Sequence, residues 1–195
     1  CCLIWSLDLP MSKSRRPLRV ACQMDPIDRI DIKGDSTFAL LLEAQARGHD
    51  LFYYLPQALT LDGAKLKAAG CGLKVVDRVG AHFELLSCRT EDLSGMDVVL
   101  LRQDPPFDMA YITSTHLLER IHPKTLVVND PREVRNAPEK LWVLDFLDLM
   151  PPTMVTRSLA DVKDFRARYK DIIVKPLYGN GGASVFRIRP EDSNL

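Results

Sequence analysis

The order strand, helix, strand constrains the fold of this chain more than any other feature of its sequence. The apolar segment LRVACQM (residues 18–24) predicts a buried strand. The segment DSTFALLLEAQARGHD follows, in which Asp35 or Ser36 can cap a helix and Gly48 suits the turn after it. LFYYLP then predicts a second strand. This succession is typical of an α/β fold with a parallel sheet.

The same pattern continues as far as residue 130. LKVVDRV and HFELLSC predict two strands of an edge hairpin, and MDVVLLRQ (residues 96–103) predicts a strand that is covered on both faces. DMAYITSTHLLERI predicts a helix that stops before Pro123, and TLVVND predicts another buried strand. We therefore expect a Rossmann-like, parallel-sheet N-terminal domain.

The character of the sequence changes after Pro131. PEKLWVLDFLDL predicts an amphipathic helix that starts at Pro138, and TMVTRS is a short β-rich run. SLADVKDFRARY predicts a helix capped by Ser158, and DIIVKP and SVFRIR predict two strands around a glycine-rich loop. We place the boundary near residues 131–136.

Three regions follow: a disordered leader (1–17), an N-terminal substrate-binding domain (18–133) and the beginning of a second domain (134–195). The periodic pattern starts only at Leu18, so we expect translation to begin at Met11 and residues 1–10 to lie outside the fold. We expect the second domain to be cut short at residue 195, because about 60 residues are marginal for an independent core.

Composition excludes several classes of protein. Lys+Arg and Asp+Glu number 26 each, so the formal net charge of +0 gives no basic field that would attract nucleic acid. No apolar run approaches the roughly 18 residues of a membrane span. The five cysteines form no CxxC pair, and the four histidines have no metal-ligand spacing. We expect no disulfide framework, a reducing compartment and a cytoplasmic protein.

The loop in KPLYGNGGASVF is open to two interpretations. Its lysine precedes the glycines and β-forming residues follow them, so it fits neither a Walker loop nor a Rossmann fingerprint. It could be a loose hairpin turn at Asn180-Gly181. It could also cover a polyphosphate, with Lys175, which lies within an apolar run, and Lys140 as the cations.

Two further loops follow predicted strands. MDPI comes after the first strand and RQDPPFD after MDVVLL, and the carboxyl ends of parallel strands face one crevice. We therefore expect Asp25, Arg102 and Asp104 to bind substrate there, with the Arg102 guanidinium gripping a carboxylate through two hydrogen bonds. The alternative for DPPFD is a rigid turn fixed by its two prolines.

Four blocks together resemble one family. MDPIDRIDIKGDSTFALLLEAQARGH, LLRQDPPFD, NAPEKL and IIVKPLYGNGGASVFRI are similar to the bacterial type of glutathione synthetase, an ATP-grasp ligase, and occur in its order. The resemblance runs from about residue 18 to the end, with a variable middle around residues 56–95. It implies an α/β fold in which a pre-ATP-grasp domain is followed by the start of an ATP-grasp domain.

The resemblance also implies an activity. Such enzymes join γ-glutamylcysteine to glycine with ATP and Mg2+: ATP phosphorylates the cysteinyl carboxylate, and the glycine amine attacks the acyl phosphate. By motif match, Lys140 and Lys175 would hold ATP phosphates, and the loop would close over the transferring phosphate through Gly179, Asn180, Gly181 and Gly182. Related sequences often have an acidic residue where this chain has Tyr178.

The resemblance places the metal-binding carboxylates and the adenine-binding residues beyond residue 195, so we expect no metal ligand in this chain and no ligase activity from it alone. The alternatives are another ATP-grasp carboxylate–amine ligase and a non-catalytic nucleotide-binding module. The sequence leaves the oligomeric state open, including a homo-oligomer.

Overall fold

A computed structural model describes residues 16–179 and 181–193. Within these residues, the α-helices are α1 (Ser36–Ala46), α2 (Met109–Glu119), α3 (Pro131–Asn136), α4 (Glu139–Trp142) and α5 (Leu159–Tyr169). The strands are β1 (Arg19–Gln23), β2 (Asp50–Tyr54), β3 (Leu59–Asp62), β4 (Lys65–Val75), β5 (Phe83–Asp92), β6 (Val98–Leu101), β7 (Leu126–Val128), β8 (Ile172–Val174) and β9 (Phe186–Ile188).

The main sheet has a parallel centre and an antiparallel flank. Its strand order is β3-β4-β2-β1-β6-β7, and β5 pairs with the other edge of β4. Strands β2, β1, β6 and β7 are parallel to one another, whereas β4 runs antiparallel to β2, β3 and β5. The predicted α/β class with a largely parallel N-terminal sheet is confirmed.

Two apolar cores cover the two faces of this sheet. On one face, Phe38 and Leu41 of α1 pack with alternate side chains of β1 and β2, among them Cys22 and Tyr53. On the other face, Leu118 of α2 packs with the intervening side chains of the same strands. Helices on both faces explain why β1 and β6 read as continuous apolar runs.

The antiparallel flank is larger than the sequence predicted. The expected hairpin exists, but β4 already starts at Lys65, and β3 was not anticipated. Gly70 and Gly72 interrupt the alternation of side chains in β4, which weakens the strand signal there. The partner strand, rather than local propensity, extends β4 over these glycines.

One expectation about the cysteines is wrong. Cys71 and Cys88 form a disulfide across the β4–β5 ladder. The two residues stand directly opposite each other in this ladder, although 17 positions separate them in the sequence. Only the register of the hairpin brings them together, and spacing in the sequence does not encode that register.

The second unit agrees with the predictions in part. Helix α5 begins as expected, with the Ser158 side chain accepting a hydrogen bond from the Asp161 N–H, and β8 and β9 form the expected antiparallel pair. The predicted long helix is instead α4 followed by a 3-10 segment, Val143–Leu149, which is broken by non-helical dihedral angles at Phe146. In the described part of the chain, residues 153–158 form no strand.

Glu119 connects α2 to α3 and makes stability depend on pH. Its carboxylate accepts hydrogen bonds from Arg135 and Arg132, and these partners lower its pKa. A carboxylate whose folded pKa is lowered stabilises the protein above its unfolded pKa, and this contribution disappears as pH falls through the folded pKa. We expect Glu119→Gln to lower the free energy of unfolding at neutral pH and to make it fall less steeply as the pH decreases. The measurement is urea unfolding from about pH 7 to about pH 3.

The matched control for this prediction is Glu43→Gln, because Glu43 of α1 pairs with Arg47, the residue that follows the helix, and this pair joins no two elements. An equal loss of stability in both variants at every pH would contradict the assignment to Glu119.

No helix in the described ranges is long and apolar enough to cross a membrane.

Candidate active site

The first candidate site lies where the connections of the sheet diverge. From the central strand β1 the chain passes through α1 to β2 on one side, whereas β6 leads through α2 to β7 on the other. Such a switch point leaves a crevice beyond the carboxyl ends of the two middle strands. The Arg102 N–H donates to the Gln23 carbonyl over 2.8 Å, which extends the pairing of β6 and β1 to the mouth of this crevice.

The two loops that were expected to share the crevice are in contact. The Asp104 N–H donates to a carboxylate oxygen of Asp25 over 2.6 Å. Gln23 and Gln103 are also joined, through their side-chain amides. The structure therefore brings Asp25, Arg102 and Asp104 together, as the strand order predicts.

The Arg102 side chain already has partners at the N-terminus of α1. Its guanidinium donates to the Ser36 hydroxyl over 2.6 Å and to the Thr37 hydroxyl over 3.0 Å. Asp35 caps the same helix by accepting the Phe38 N–H over 2.6 Å. The sequence predicts this cap, but it does not predict the two hydroxyls as partners of Arg102. Their position in the first turn of a helix beside β1 was the available signal.

The charges in this crevice are one guanidinium among three carboxylates. Burial raises the pKa of Asp104, and the negative charges of Asp25 and Asp35 raise it further, while Arg102 opposes the shift. Tyr111 of α2 lies close enough that its pKa, raised mainly by burial, also responds to Arg102 and Asp104. The crevice thus offers a fixed cation for a carboxylate and oxygen acceptors for an ammonium group.

The floor of the MDPI loop is supported from β2 and from the β4–β5 hairpin. The Ile27 N–H donates to the Tyr53 hydroxyl over 3.2 Å, and that hydroxyl donates to the Asp25 carbonyl over 3.4 Å. His82, in the hairpin turn, lies 2.7 Å from the Ile27 carbonyl through Nε2 and packs edge-on against Phe38. His82 is itself buried.

The second candidate site is a cavity of about 110 Å³ at the glycine-rich loop. Residues of α4, of the segment after β8 and of the loop itself line it: Lys140, Lys175, Pro176, Gly179, Gly181, Gly182, Ala183 and Val185. Two lysines and three glycines therefore surround one small space. That arrangement suits an anion with several oxygen atoms.

Lys175 does not have the environment that the sequence suggested. It lies one residue past β8 and is exposed, so the expectation of a lysine fixed on a strand within an apolar environment is wrong. Strand β8 is only three residues long and lies in a two-stranded sheet, which leaves its end open to solvent. Lys140 is more constrained, because its Nζ donates to the Gly179 carbonyl over 2.6 Å.

The loop contains backbone conformations that favour glycine. Gly181 and Gly182 have φ angles of 61° and 75°, in the left-handed region, and Gly179 has a φ of 145°. The side chain of Tyr178 is exposed, and Asn180 lies outside the described residues. Among the residues that the structure describes, no group of three His, Cys, Asp or Glu could hold a metal ion.

Comparison with family models covers almost the whole described chain. Residues 18–135 match the prokaryotic glutathione synthetase N-terminal domain, and residues 139–195 match the prokaryotic glutathione synthetase ATP-grasp domain. The chain belongs to the prokaryotic glutathione synthetase family. The crevice therefore lies in the part matched by the N-terminal model, and the cavity lies in the part matched by the ATP-grasp model.

Curated glutathione synthetases of bacteria are similar along the same region. The chain is 62% identical over 178 residues to that of Bradyrhizobium diazoefficiens and 60% identical to that of Rhodopseudomonas palustris. It is 44% identical over 179 residues to that of Escherichia coli. These alignments cover 91% of this chain and 57% of each relative, so the chain spans a little over half the length of the proteins it matches.

Proposed function

We propose that this chain provides the dipeptide-binding crevice and part of the ATP site of a glutathione synthetase, which joins γ-glutamylcysteine to glycine. The observation that carries the proposal is the cavity at the glycine-rich loop, because two lysines and a glycine-rich backbone converge on it within the ATP-grasp region. A simple hairpin turn does not require Lys140 of a separate helix to reach the loop.

Each part of the proposal assigns a task to residues of this chain. Lys140 and Lys175 neutralise phosphate charge, and the loop from Gly179 to Gly182 covers the phosphate that is transferred and keeps water away from it. ATP supplies the phosphoryl group that activates the cysteinyl carboxylate, and the glycine amine then displaces phosphate. Magnesium use is part of the proposal as a property of the family, and no described residue is assigned to it.

The crevice suits one end of the dipeptide. γ-Glutamylcysteine ends in an ammonium and a carboxylate on the same carbon atom. Arg102 can pair with that carboxylate, while Asp25 and Asp104 can accept hydrogen bonds from the ammonium group. Three carboxylates around one guanidinium match such a zwitterion better than they match a simple dicarboxylate.

The remaining assignments are part of the same proposal. We infer that residues 18–133 form the substrate-binding domain and that residues 134–195 belong to the ATP-grasp domain. The leader expected at residues 1–17 lies, up to residue 15, outside the described residues. The protein would act in the cytoplasm, where its small-molecule substrates are found. A homo-oligomer would be compatible with these assignments.

A chimera tests the activity. The remaining length of the Bradyrhizobium relative is joined after Leu195, and ADP release is measured with γ-glutamylcysteine and glycine. We expect release that requires both substrates. Release that instead requires another carboxylate or another amine would assign the chain to a different ligation, and nucleotide binding without turnover would favour the non-catalytic module.

Arg102→Ala is expected to weaken the binding of γ-glutamylcysteine by roughly 10- to 150-fold. This range corresponds to the loss of about 1.5–3 kcal/mol for a hydrogen-bonded charge. Isothermal titration of the chain with the dipeptide provides the measurement. Arg120→Ala, which removes a positive charge at the C-terminal cap of α2, is the control for the loss of one positive charge.

Arg102 also holds Ser36 and Thr37, so its removal could act through α1 rather than through the ligand. Urea unfolding of the same variant separates the two effects. Unchanged dipeptide affinity together with lowered stability would make Arg102 a structural residue only.

A further inference from the structure

The Cys71–Cys88 disulfide lies in an accessible part of the sheet. Cys88 belongs to β5, an edge strand whose residues are mostly exposed, and Cys88 itself is exposed while Cys71 is half-buried. The free thiol of Cys22 is the opposite case, since complete burial raises its pKa to about 12. Exposed cysteine pairs exchange readily with small thiols and disulfides, whereas buried thiols are inert.

The pair also lies where the ladder between β4 and β5 is irregular. Cys71 is opposite Cys88, but the next paired residues are Leu73 and Leu85, so two residues of β5 face Gly72 alone. A bulge of this kind leaves part of the backbone unpaired. The covalent bond therefore holds the two strands together beside the point where their hydrogen bonds are interrupted.

This hairpin supports the candidate substrate loop in two ways. Cys71 is also opposite Tyr53 of β2, and the Tyr53 hydroxyl bonds both Ile27 and Asp25. The hairpin turn contributes His82, whose Nε2 meets the Ile27 carbonyl and whose own carbonyl accepts the Val76 N–H over 2.9 Å. Loosening the hairpin would disturb both supports of the MDPI loop.

We propose that Cys71 and Cys88 form a reversible redox pair, which low-molecular-weight disulfides close and thiols open, and that closing it rigidifies the loop that carries Asp25. In the closing reaction the Cys88 thiolate attacks one sulfur of the small disulfide, forms a mixed disulfide and releases one thiol. The Cys71 thiolate then attacks the Cys88 sulfur and releases the second. Two protein thiols are oxidised, one small disulfide is reduced, and its two sulfur atoms take up the two thiol protons.

One consequence rests on the proposed function. The product of that function, glutathione, is itself a thiol, and its oxidised form is a disulfide of the required class. Oxidation of the product pool would then close the pair and rigidify a loop of the crevice that binds the precursor dipeptide.

The chemical half of the proposal is tested without any substrate. The chain, with Cys1→Ser and Cys2→Ser, is equilibrated in mixtures of reduced and oxidised glutathione, alkylated under native conditions and weighed by mass spectrometry. We expect two alkyl groups in excess thiol and none in excess disulfide, with the same midpoint from both directions and Cys22 unmodified throughout. Cys71→Ser should retain glutathione as a stable mixed disulfide on Cys88.

A pair that stays closed at every ratio in the folded chain would be a purely structural disulfide, and this result would overturn the proposal. Two thiols that remain open to alkylation at every ratio would overturn it as well. Neither result depends on ligase activity, so each is distinguishable from failure of the proposed function.

The coupling half is tested by amide hydrogen exchange at Ile27, whose N–H bonds Tyr53. Opening the pair should accelerate exchange at Ile27 by at least about tenfold. Amides exchange from locally unfolded states, and the cross-link restricts those states. The double variant Cys71→Ser/Cys88→Ser should exchange at the rate of the reduced chain and should not respond to oxidised glutathione. Exchange at Ile27 that is the same in both redox states would overturn the coupling.

Discussion

Lys175→Ala is expected to slow turnover of the chimera described above by roughly 10²–10³-fold, the scale observed when one electrostatic contact to a transition state is removed. Lys175 lines the cavity together with Lys140, and this is the space assigned to the phosphates. Because the Lys175 side chain is exposed, its removal should cost little folding stability. The measurement is kcat at saturating ATP, with unfolding by urea recorded in parallel.

Lys163→Ala is the matched control for this variant, because Lys163 is an exposed lysine of α5 that does not line the cavity.

Gly181→Val provides an independent probe of the loop. A Cβ at Gly181 would meet no atom within 4 Å, but its φ of 61° is strained for valine. Turnover should therefore fall without steric damage to the fold. Near-normal turnover in both Lys175→Ala and Gly181→Val would establish the loop as an ordinary hairpin turn.

Gly70→Ala is expected to be the most destabilising single methyl group that can be added to β4. A Cβ at this position would lie 2.3 Å from the Tyr53 carbonyl oxygen and 2.9 Å from the Tyr54 Cβ. Both atoms belong to the neighbouring strand β2, so neither can move without displacing the sheet. We expect a loss of about 3 kcal/mol, the upper end of the usual cost of overpacking, measured as a shift in the urea unfolding transition.

The control is Gly34→Ala, where a Cβ would meet no atom within 4 Å and the backbone needs no left-handed conformation. That variant should remain within about 0.5 kcal/mol of the parent chain. Comparable stability of the Gly70 and Gly34 variants would mean that β4 does not pack against β2 as closely as described.

The parts of the fold that follow from local signals could be predicted. The continuous apolar runs of β1 and β6 and the capped helix α1 fix the parallel centre of the sheet. Once that centre is established, the strand ends place Asp25 and Asp104 together without further information, because parallel strands end at a common edge.

The features that were missed depend on non-local pairing. Strand β3 exists because β4 offers it a partner, and the disulfide exists because the register sets Cys71 opposite Cys88. The hydrogen bonds from Arg102 to Ser36 and Thr37 join residues 66 and 65 positions apart. The apolar periodicity around Phe146 resembles that of one helix, but the backbone is non-helical at this residue. The side chains of Trp142 and Leu147 in the same segment are exposed, so they pack against no core in the described structure.

The hydrogen bond from Lys140 to the Gly179 carbonyl gives this lysine a second task. An ammonium group has three N–H donors, so it can keep the loop carbonyl and still meet a phosphate oxygen. Under the proposed function, the Lys140 side chain then contacts both the glycine-rich loop and the bound phosphate. Linkage is reciprocal: whatever a bound phosphate does to the Lys140–Gly179 bond, that bond does to phosphate affinity by the same factor. Nucleotide affinity and the position of the glycine-rich loop would consequently be coupled, and a change at Lys140 would alter both at once.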